Sequence, residues 1–348
     1  MTQLLPEIRV HAHLDAVGPW ADPVLWSRAD VGRNYEGLPF PHRTVVGAGE
    51  MQRDCVFDAA ATVPGFVGCE PVPLSALTRR ELQCARESGL ISAGQFKELN
   101  SEPFCLVSPD ASLMLRTRDR DHVRLIARCS GLDPQAALRN VLSVERCLDR
   151  AVTFAYDDRF GYLTAEPARC GTGLALGCLV HLPALAFSGT AAEVLNEVGE
   201  QGLSTRGWFE SEGRARGDLF ILRSRRSLGC SEKTMAGEFT KLAARVVGLE
   251  IATREILLSS RRLELEDRIH RASGLLRNAR LMSLSESYDH ISFTRLGAAT
   301  GLLAGPDAAA WNRLLVDLRP GHLGIDPAGS DPDDDLIARA AHLRKFFS

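Results

Sequence analysis

No stretch of the sequence approaches the roughly 20 apolar residues of a membrane span, and the first residues lack the basic-then-apolar layout of a signal peptide. Both absences point to a cytoplasmic protein with no membrane partner. An excess of one charge is missing too. The 41 Lys and Arg stand against 44 Asp and Glu, a net charge of -3, which gives no reason to expect nucleic acid as a partner. The short run Arg223-Ser224-Arg225-Arg226 reads as a solvated turn. No two cysteines stand at C-x-x-C spacing. The nine present (Cys55, Cys69, Cys84, Cys105, Cys129, Cys147, Cys170, Cys178 and Cys230) are an odd number. They read as reduced, mostly buried thiols, with no metal. Internal repeats are absent, and the acidic turn Asp331–Asp335 is the one low-complexity stretch.

What is present suits a folded chain. The 348 residues, 45% hydrophobic and 24% charged, can bury one large core or two smaller ones. The Gly- and Pro-rich first 60 residues read as strands and loops. Residues 76–100 carry Leu77, Leu82, Ala85, Leu90 and Ile91 at helical spacing, ending near Ser92. Strands are expected at Cys105–Val107, Leu113–Leu115 and Val123–Ala127, with a turn at Pro109-Asp110. Leu132-Asp133-Pro134 opens an amphipathic helix, because proline is tolerated in a first turn. Residues 152–165 return to strand, Gly171-Thr172-Gly173 feeds the apolar run Leu174–Leu185, and two strands surround the loop Glu210–Gly217. From Ser231 a helical region runs onward, with breaks expected at Gly274, Gly301–Gly305 and Pro320. The reading is α+β up to about residue 230, then a helical segment, 231–348, able to support dimerisation.

Five blocks occur in the order of one known family. Phe160-Gly-Tyr-Leu-Thr-Ala165-Glu-Pro-Ala-Arg-Cys170-Gly-Thr-Gly-Leu174, followed by His181-Leu-Pro183, resembles F-G-Y-L-T-x-C-P-T-N-x-G-T-G-L-R and H-L-P of the ATP:guanido phosphotransferases. Val24-Leu-Trp-Ser27-Arg28-Ala-Asp30-Val-Gly-Arg33-Asn34 resembles V-L-S-S-R-I-R-L-A-R-N, and Arg118-Asp-Arg120-Asp121-His122-Val-Arg124 resembles N-E-E-D-H-x-R. Leu263-Glu-Leu-Glu-Asp-Arg268-Ile-His-Arg271, then Asn278-Ala-Arg280, resembles the long helices of the bacterial protein-arginine kinases. The resemblance implies a small N-terminal lobe, a large antiparallel sheet flanked by helices, and ATP with Mg2+ across that sheet.

Phosphoryl transfer to a guanidine needs cations around the triphosphate, and carboxylates that hold the acceptor and take its proton. On the family pattern, Ser27, Arg28, Arg124 and Arg206 are the remnants of a phosphate site. Asp30 and Ala175 replace arginines, and Gly89 replaces a histidine near the nucleotide. Losing one such arginine costs on the order of a thousandfold in rate where arginine fingers have been tested. The carboxylate positions are occupied by Arg120 and Arg214, and a pocket cysteine is replaced by Glu166. The family's phosphoarginine motif R-D-x-x-R-A aligns with Asp335-Leu-Ile-Ala-Arg339-Ala340, which keeps only the second arginine and its alanine.

The resemblance thus implies a guanidino kinase fold with a disabled centre: a pseudokinase acting by binding or regulation. Its partners by analogy are an active arginine kinase, its activator or a protease-chaperone system, and a homo-oligomer is expected. One alternative is a divergent active kinase in which Glu166, Glu210 or Glu212 holds the guanidine and Arg216 or Arg223 holds phosphate. Another is a structural dimerisation protein. The blander readings are that the arginines pair with acids such as Asp30 and Asp119, that His122 and His181 are packing residues, and that Trp26 is a part-buried aromatic rather than a plug in the cleft.

Overall fold

The computed structural model describes residues 16–43, 48–91, 102–211, 214–325 and 332–348. Its strands, in chain order, are β1 (Val24–Arg33), β2 (Val72–Pro73), β3 (Phe104–Val107), β4 (Leu113–Thr117), β5 (Val123–Ser130), β6 (Tyr156–Asp157), β7 (Gly161–Tyr162), β8 (Leu174–His181), β9 (Leu203–Gly207), β10 (Glu210–Ser211), β11 (Arg214–Ala215) and β12 (Leu219–Ser224). Eight of them make one sheet in the order β2-β3-β4-β5-β1-β8-β12-β9. Every neighbouring pair in it is antiparallel. The expected large antiparallel sheet flanked by helices is therefore present.

Side chains alternate across a strand, so each strand contributes to both faces of the sheet. Ala29, Val31, Leu125, Ala127, Leu176 and Val180 share one face and are buried in the main core. That face is covered by the helix Pro134–Leu148, which Asp133 caps by accepting from Ala136 N at 2.8 Å, and by the helix Glu232–Ser260, which Ser231 caps. The helical region expected from residue 231 therefore begins with a helix that belongs to the sheet's own core. Met235, Phe239, Ala243 and Val246 are its buried stripe.

The helices from Arg262 onward build a second core around Leu276, Tyr288, Trp311, Leu315 and Leu343, which also takes Leu179 and Leu219 from the sheet. Trp26 packs against this second core. No helix among the described residues is long and apolar enough to cross a membrane.

Several local expectations need correction. Residues Glu50–Ala61 are a helix, not strand or loop. Gly274 lies inside the helix Arg262–Asn278, and the break falls at Arg261. Only two short strands, β6 and β7, occupy 152–165. Ser92, the expected end of the helix now seen at Arg79–Glu87, lies outside the described residues.

Arg33 fixes the loop that approaches the sheet. It is fully buried, donates from Nε to Glu145 Oε1 at 2.6 Å and from Nη1 to Thr172 O at 3.0 Å, and lies 3.5 Å over the Tyr162 ring. Gly173 has φ 64, and a Cβ there would sit 2.4 Å from Arg33 Nη1 and 2.7 Å from Gly32 O. A side chain at that position would displace both.

Candidate functional site

The second face of the sheet is where the arginines gather. On β1 the alternation that buries Ala29 and Val31 turns Arg28 and Asp30 the other way. Cross-strand pairing sets Arg128 of β5 beside Arg28, and Arg116 of β4 beside Arg124. Asp30 lies opposite Ala175, and Gly177 stands between Arg28 and Arg223 of β12. Arg169 reaches the same place from the short helix Pro167–Arg169.

Asp30 is the centre of this cluster and is 4% exposed. Arg124 donates to it from Nε to Oδ1 and from Nη2 to Oδ2, both at 2.8 Å. Arg28 Nη2 meets Oδ2 at 2.7 Å, and Arg169 Nη2 meets Oδ1 at 3.1 Å. A second carboxylate, Asp119, lies 3.0 Å from Arg116 and 3.5 Å from Arg124. Six guanidiniums (Arg28, Arg116, Arg124, Arg128, Arg169 and Arg223) thus gather around two carboxylates.

The electrostatics follow from that crowding. Burial alone would raise the Asp30 carboxyl, but Arg124, Arg169 and Arg28 outweigh it and hold Asp30 well below the usual carboxylate range. Burial presses Arg28 down to about 9, with Asp30 opposing and Arg128, Arg124 and Arg116 adding to the shift. Burial and then Arg116 press Arg128 down to about 10. Arg124 goes the other way, because its two bonds to Asp30 outweigh its burial. Asp30 is the anion that lets this many cations share one buried space.

The remaining candidate residues divide. Arg28 and Arg124 belong to the cluster, whereas Arg206 stands exposed on edge strand β9, opposite Ile221 and on the same face. Ser27 does not join them. It is fully buried on the opposite face, donating to Gly131 O at 2.7 Å and accepting from Asp133 N at 3.0 Å. Gly89 has φ 65, its carbonyl accepts from Arg128 Nη2 at 2.6 Å, and a Cβ there would lie 3.2 Å from that nitrogen. Arg120 and Glu166 lie at the surface, 3.6 Å apart, with side chains 72% and 45% exposed. Arg214 lies on β11, paired with Ser211, and Glu212 is outside the described residues.

The histidines are internal. His122 Nδ1 accepts from Tyr35 N at 3.3 Å while its ring stacks on Tyr35 at 4.8 Å; burial, then Arg118, lowers its pKa to about 4. His181 Nε2 lies 2.9 Å from Ser292 Oγ, and burial holds the ring well below its ordinary value. Arg339 is also fully buried. It donates to Leu318 O at 3.0 Å and Met282 O at 3.1 Å, and pairs with Asp335.

Three members of the cluster were not singled out from the sequence: Arg116, Arg128 and Arg169. The signal for Arg128 was its even spacing from Arg124 along one strand. Arg169 occupies the asparagine position of the F-G-Y-L-T block, where a new cation could have been noticed.

Comparison with known proteins gives consistent matches. The profile described as "ATP:guanido phosphotransferase, C-terminal catalytic domain" matches residues 54–253, and "Protein-arginine kinase McsB C-terminal domain" matches residues 262–348. The chain is 33% identical over 344 residues to a protein-arginine kinase of Symbiobacterium thermophilum, covering 96% of each. It is 32% identical over 315 residues to that of Syntrophomonas wolfei, covering 90% of this chain and 88% of the relative. With the protein-arginine kinase of Bacillus subtilis the identity is 28% over 333 residues, covering 94% and 91%. Among solved structures, lombricine kinase superposes with a TM-score of 0.56 at 19% identity, covering 71% of each chain. The duplicated taurocyamine kinase from Schistosoma mansoni gives 0.58 at 18% identity, covering 74% of this chain and 37% of that one.

Proposed function

The chain belongs to the ATP:guanido phosphotransferase family, within its protein-arginine kinases, and from that premise we propose that it is a catalytically inactive member that works by binding or regulation. The observation that carries this reading is Asp30. A carboxylate already sits on the guanidiniums of Arg28, Arg124 and Arg169, in the face where the family would hold triphosphate. A polyanion entering there would have to break those ion pairs and accept a buried negative charge beside its own. We therefore read the residues present as unfit for Mg-ATP.

The acceptor side supports the same reading. Arg120 stands where the family places a carboxylate for the substrate guanidine, and its own guanidinium lies against Glu166. A cation repels a guanidinium and cannot take its proton. The present-day role is then that of a regulatory partner for an active arginine kinase, or of an adaptor in protein quality control.

Incubation with Mg-ATP and an arginine-rich protein, followed by mass spectrometry under conditions that avoid acid, tests this directly. The expected result is no phosphoarginine above the blank. A clear signal overturns the proposal and favours the divergent active kinase, for which Glu166, 45% exposed, is the available guanidine ligand.

A further inference from the structure

We propose that the exposed rim of the arginine face, formed by Arg28, Arg120, Arg206 and Arg223, is a docking surface for an acidic, extended segment of a partner protein. This rests on the preceding reading that the face no longer holds a triphosphate. On a chain of net charge -3, this face is an island of the opposite sign. Its buried interior is partly neutralised by Asp30 and Asp119, and Asp30 also pairs with Arg28 at the inner edge of the rim, whereas Arg206 and Arg223 stand outside those ion pairs. Arg206 and Arg223 are exposed, the Arg28 side chain is 24% exposed and that of Arg120 is 72% exposed. Strand pairing sets Arg223 across Gly177 from Arg28, on the same face; burial first, with Asp30 opposing, lowers its pKa. Among the described residues, Arg28 pairs with Asp30 at 2.7 Å and Arg120 lies 3.6 Å from Glu166.

The spacing of these cations selects the kind of anion. Arg206 lies on β9, Arg223 on the adjoining β12, and Arg28 two strands farther, on β1. Neighbouring strands are about 4.8 Å apart, so the three cations are spread over roughly 5 to 15 Å. Carboxylates on one side of an extended peptide recur about every 7 Å, which suits that spread. A compact triphosphate concentrates its charge at the centre, where Asp30 already sits. Arg120 extends the rim past Glu166 and would take a further carboxylate by exchange of partners.

The test is fluorescence polarisation of a labelled Asp/Glu-rich peptide titrated with the full chain in about 50 mM and about 300 mM salt. Mg-ATP, a neutral peptide and a DNA duplex serve as parallel probes. Salt-sensitive peptide binding is expected, weakened about tenfold or more in the double variant Arg206→Ala, Arg223→Ala, whose two sites are exposed and should leave the fold intact. Circular dichroism checks the fold, and Arg206→Lys with Arg223→Lys should recover most of the binding. Absence of peptide binding, or binding unchanged in the double variant, overturns the docking surface while leaving the loss of catalysis standing. Duplex DNA bound as well as the peptide also overturns it. Tight Mg-ATP binding overturns the premise instead.

Discussion

Arg124 holds Asp30 with two parallel bonds from one edge of its guanidinium, Nε on Oδ1 and Nη2 on Oδ2, each at 2.8 Å. The forked geometry is the strongest form of this ion pair, and here it is nearly out of water. Arg28 and Arg169 complete the ring around one carboxylate. The pair therefore holds the site together and is the feature on which the proposed loss of catalysis rests.

Removing the carboxylate should cost more than removing a ligand contact. Asp30→Asn leaves three guanidiniums without their shared anion, and breaking a buried pair of this kind costs about 3–5 kcal/mol. Chemical denaturation should show that loss. Asp30→Arg, which restores the family residue, should be worse, because it adds a seventh cation to six. A stable Asp30→Arg protein would contradict the cluster's energetics, and phosphoarginine formed by it would contradict the loss argued for the acceptor side at Arg120.

Acid should act in two windows. His122, and His322 of the short helix Pro320–Leu323, are lowered to about 4, in each case by burial first, so the unfolded chain binds more protons than the fold between its ordinary histidine value and about 4. Stability from these rings is complete above about pH 6.5 and falls as the pH drops toward 4. Asp30 is depressed, so its contribution holds above about pH 4 and is lost only below it. Glu145 and Glu250, raised by burial with Arg33 and Arg254 opposing, work in the other direction. Urea midpoints at pH 7, 5 and 4 check this. His122→Phe should flatten the slope from 6.5 to 4, whereas an unchanged slope would exclude His122 as its source.

Gly89 is where restoring a family residue should fail for a local reason. With φ at 65, any side chain there meets the left-handed penalty of about 1–2 kcal/mol, and its Cβ would crowd Arg128 Nη2 at 3.2 Å. Gly89→His should therefore lower the melting temperature without producing an ATP-dependent shift. A stabilised variant that also gains such a shift would show that Arg128 can move aside and that the cleft remains adaptable.

The fold was legible because its evidence is distributed along the chain. The collinear blocks, the Asp133-Pro134 helix start, the Ser231 cap and the apolar run into β8 all read correctly from local chemistry. The site was legible at Asp30, Arg28 and Arg124, where a change of charge sign stands inside a recognisable block. Ser27 was misplaced because alternation turns it away from its neighbours Arg28 and Asp30, a rule available in the sequence once β1 is taken as a strand. Arg169 could be noticed as a new cation inside its block, but nothing local says that its loop folds back onto β1. The helix Glu232–Ser260 shows a third limit: its apolar spacing cannot specify which of two cores it covers.

The C-terminal segment repeats the relationship seen at the sheet. Asp335 stands where the family motif begins with arginine, and it pairs with Arg339, the arginine that the motif retains. Arg339 also holds the carbonyls of Leu318 and Met282, tying three stretches of the helical region together. A side chain so fully engaged is a structural tie, and taking up phosphoarginine would require it to leave Asp335 and remain buried. Arg339→Ala should therefore lower stability by about 3–5 kcal/mol. Free phosphoarginine should leave the melting temperature of the unaltered chain unchanged. Asp335→Asn separates the two roles: it removes the internal anion while keeping the bonds from Arg339 to the carbonyls. If that variant alone is stabilised by phosphoarginine, Asp335 is the residue that closes the site. If the unaltered chain already responds, the ion pair with Asp335 is no barrier to the ligand.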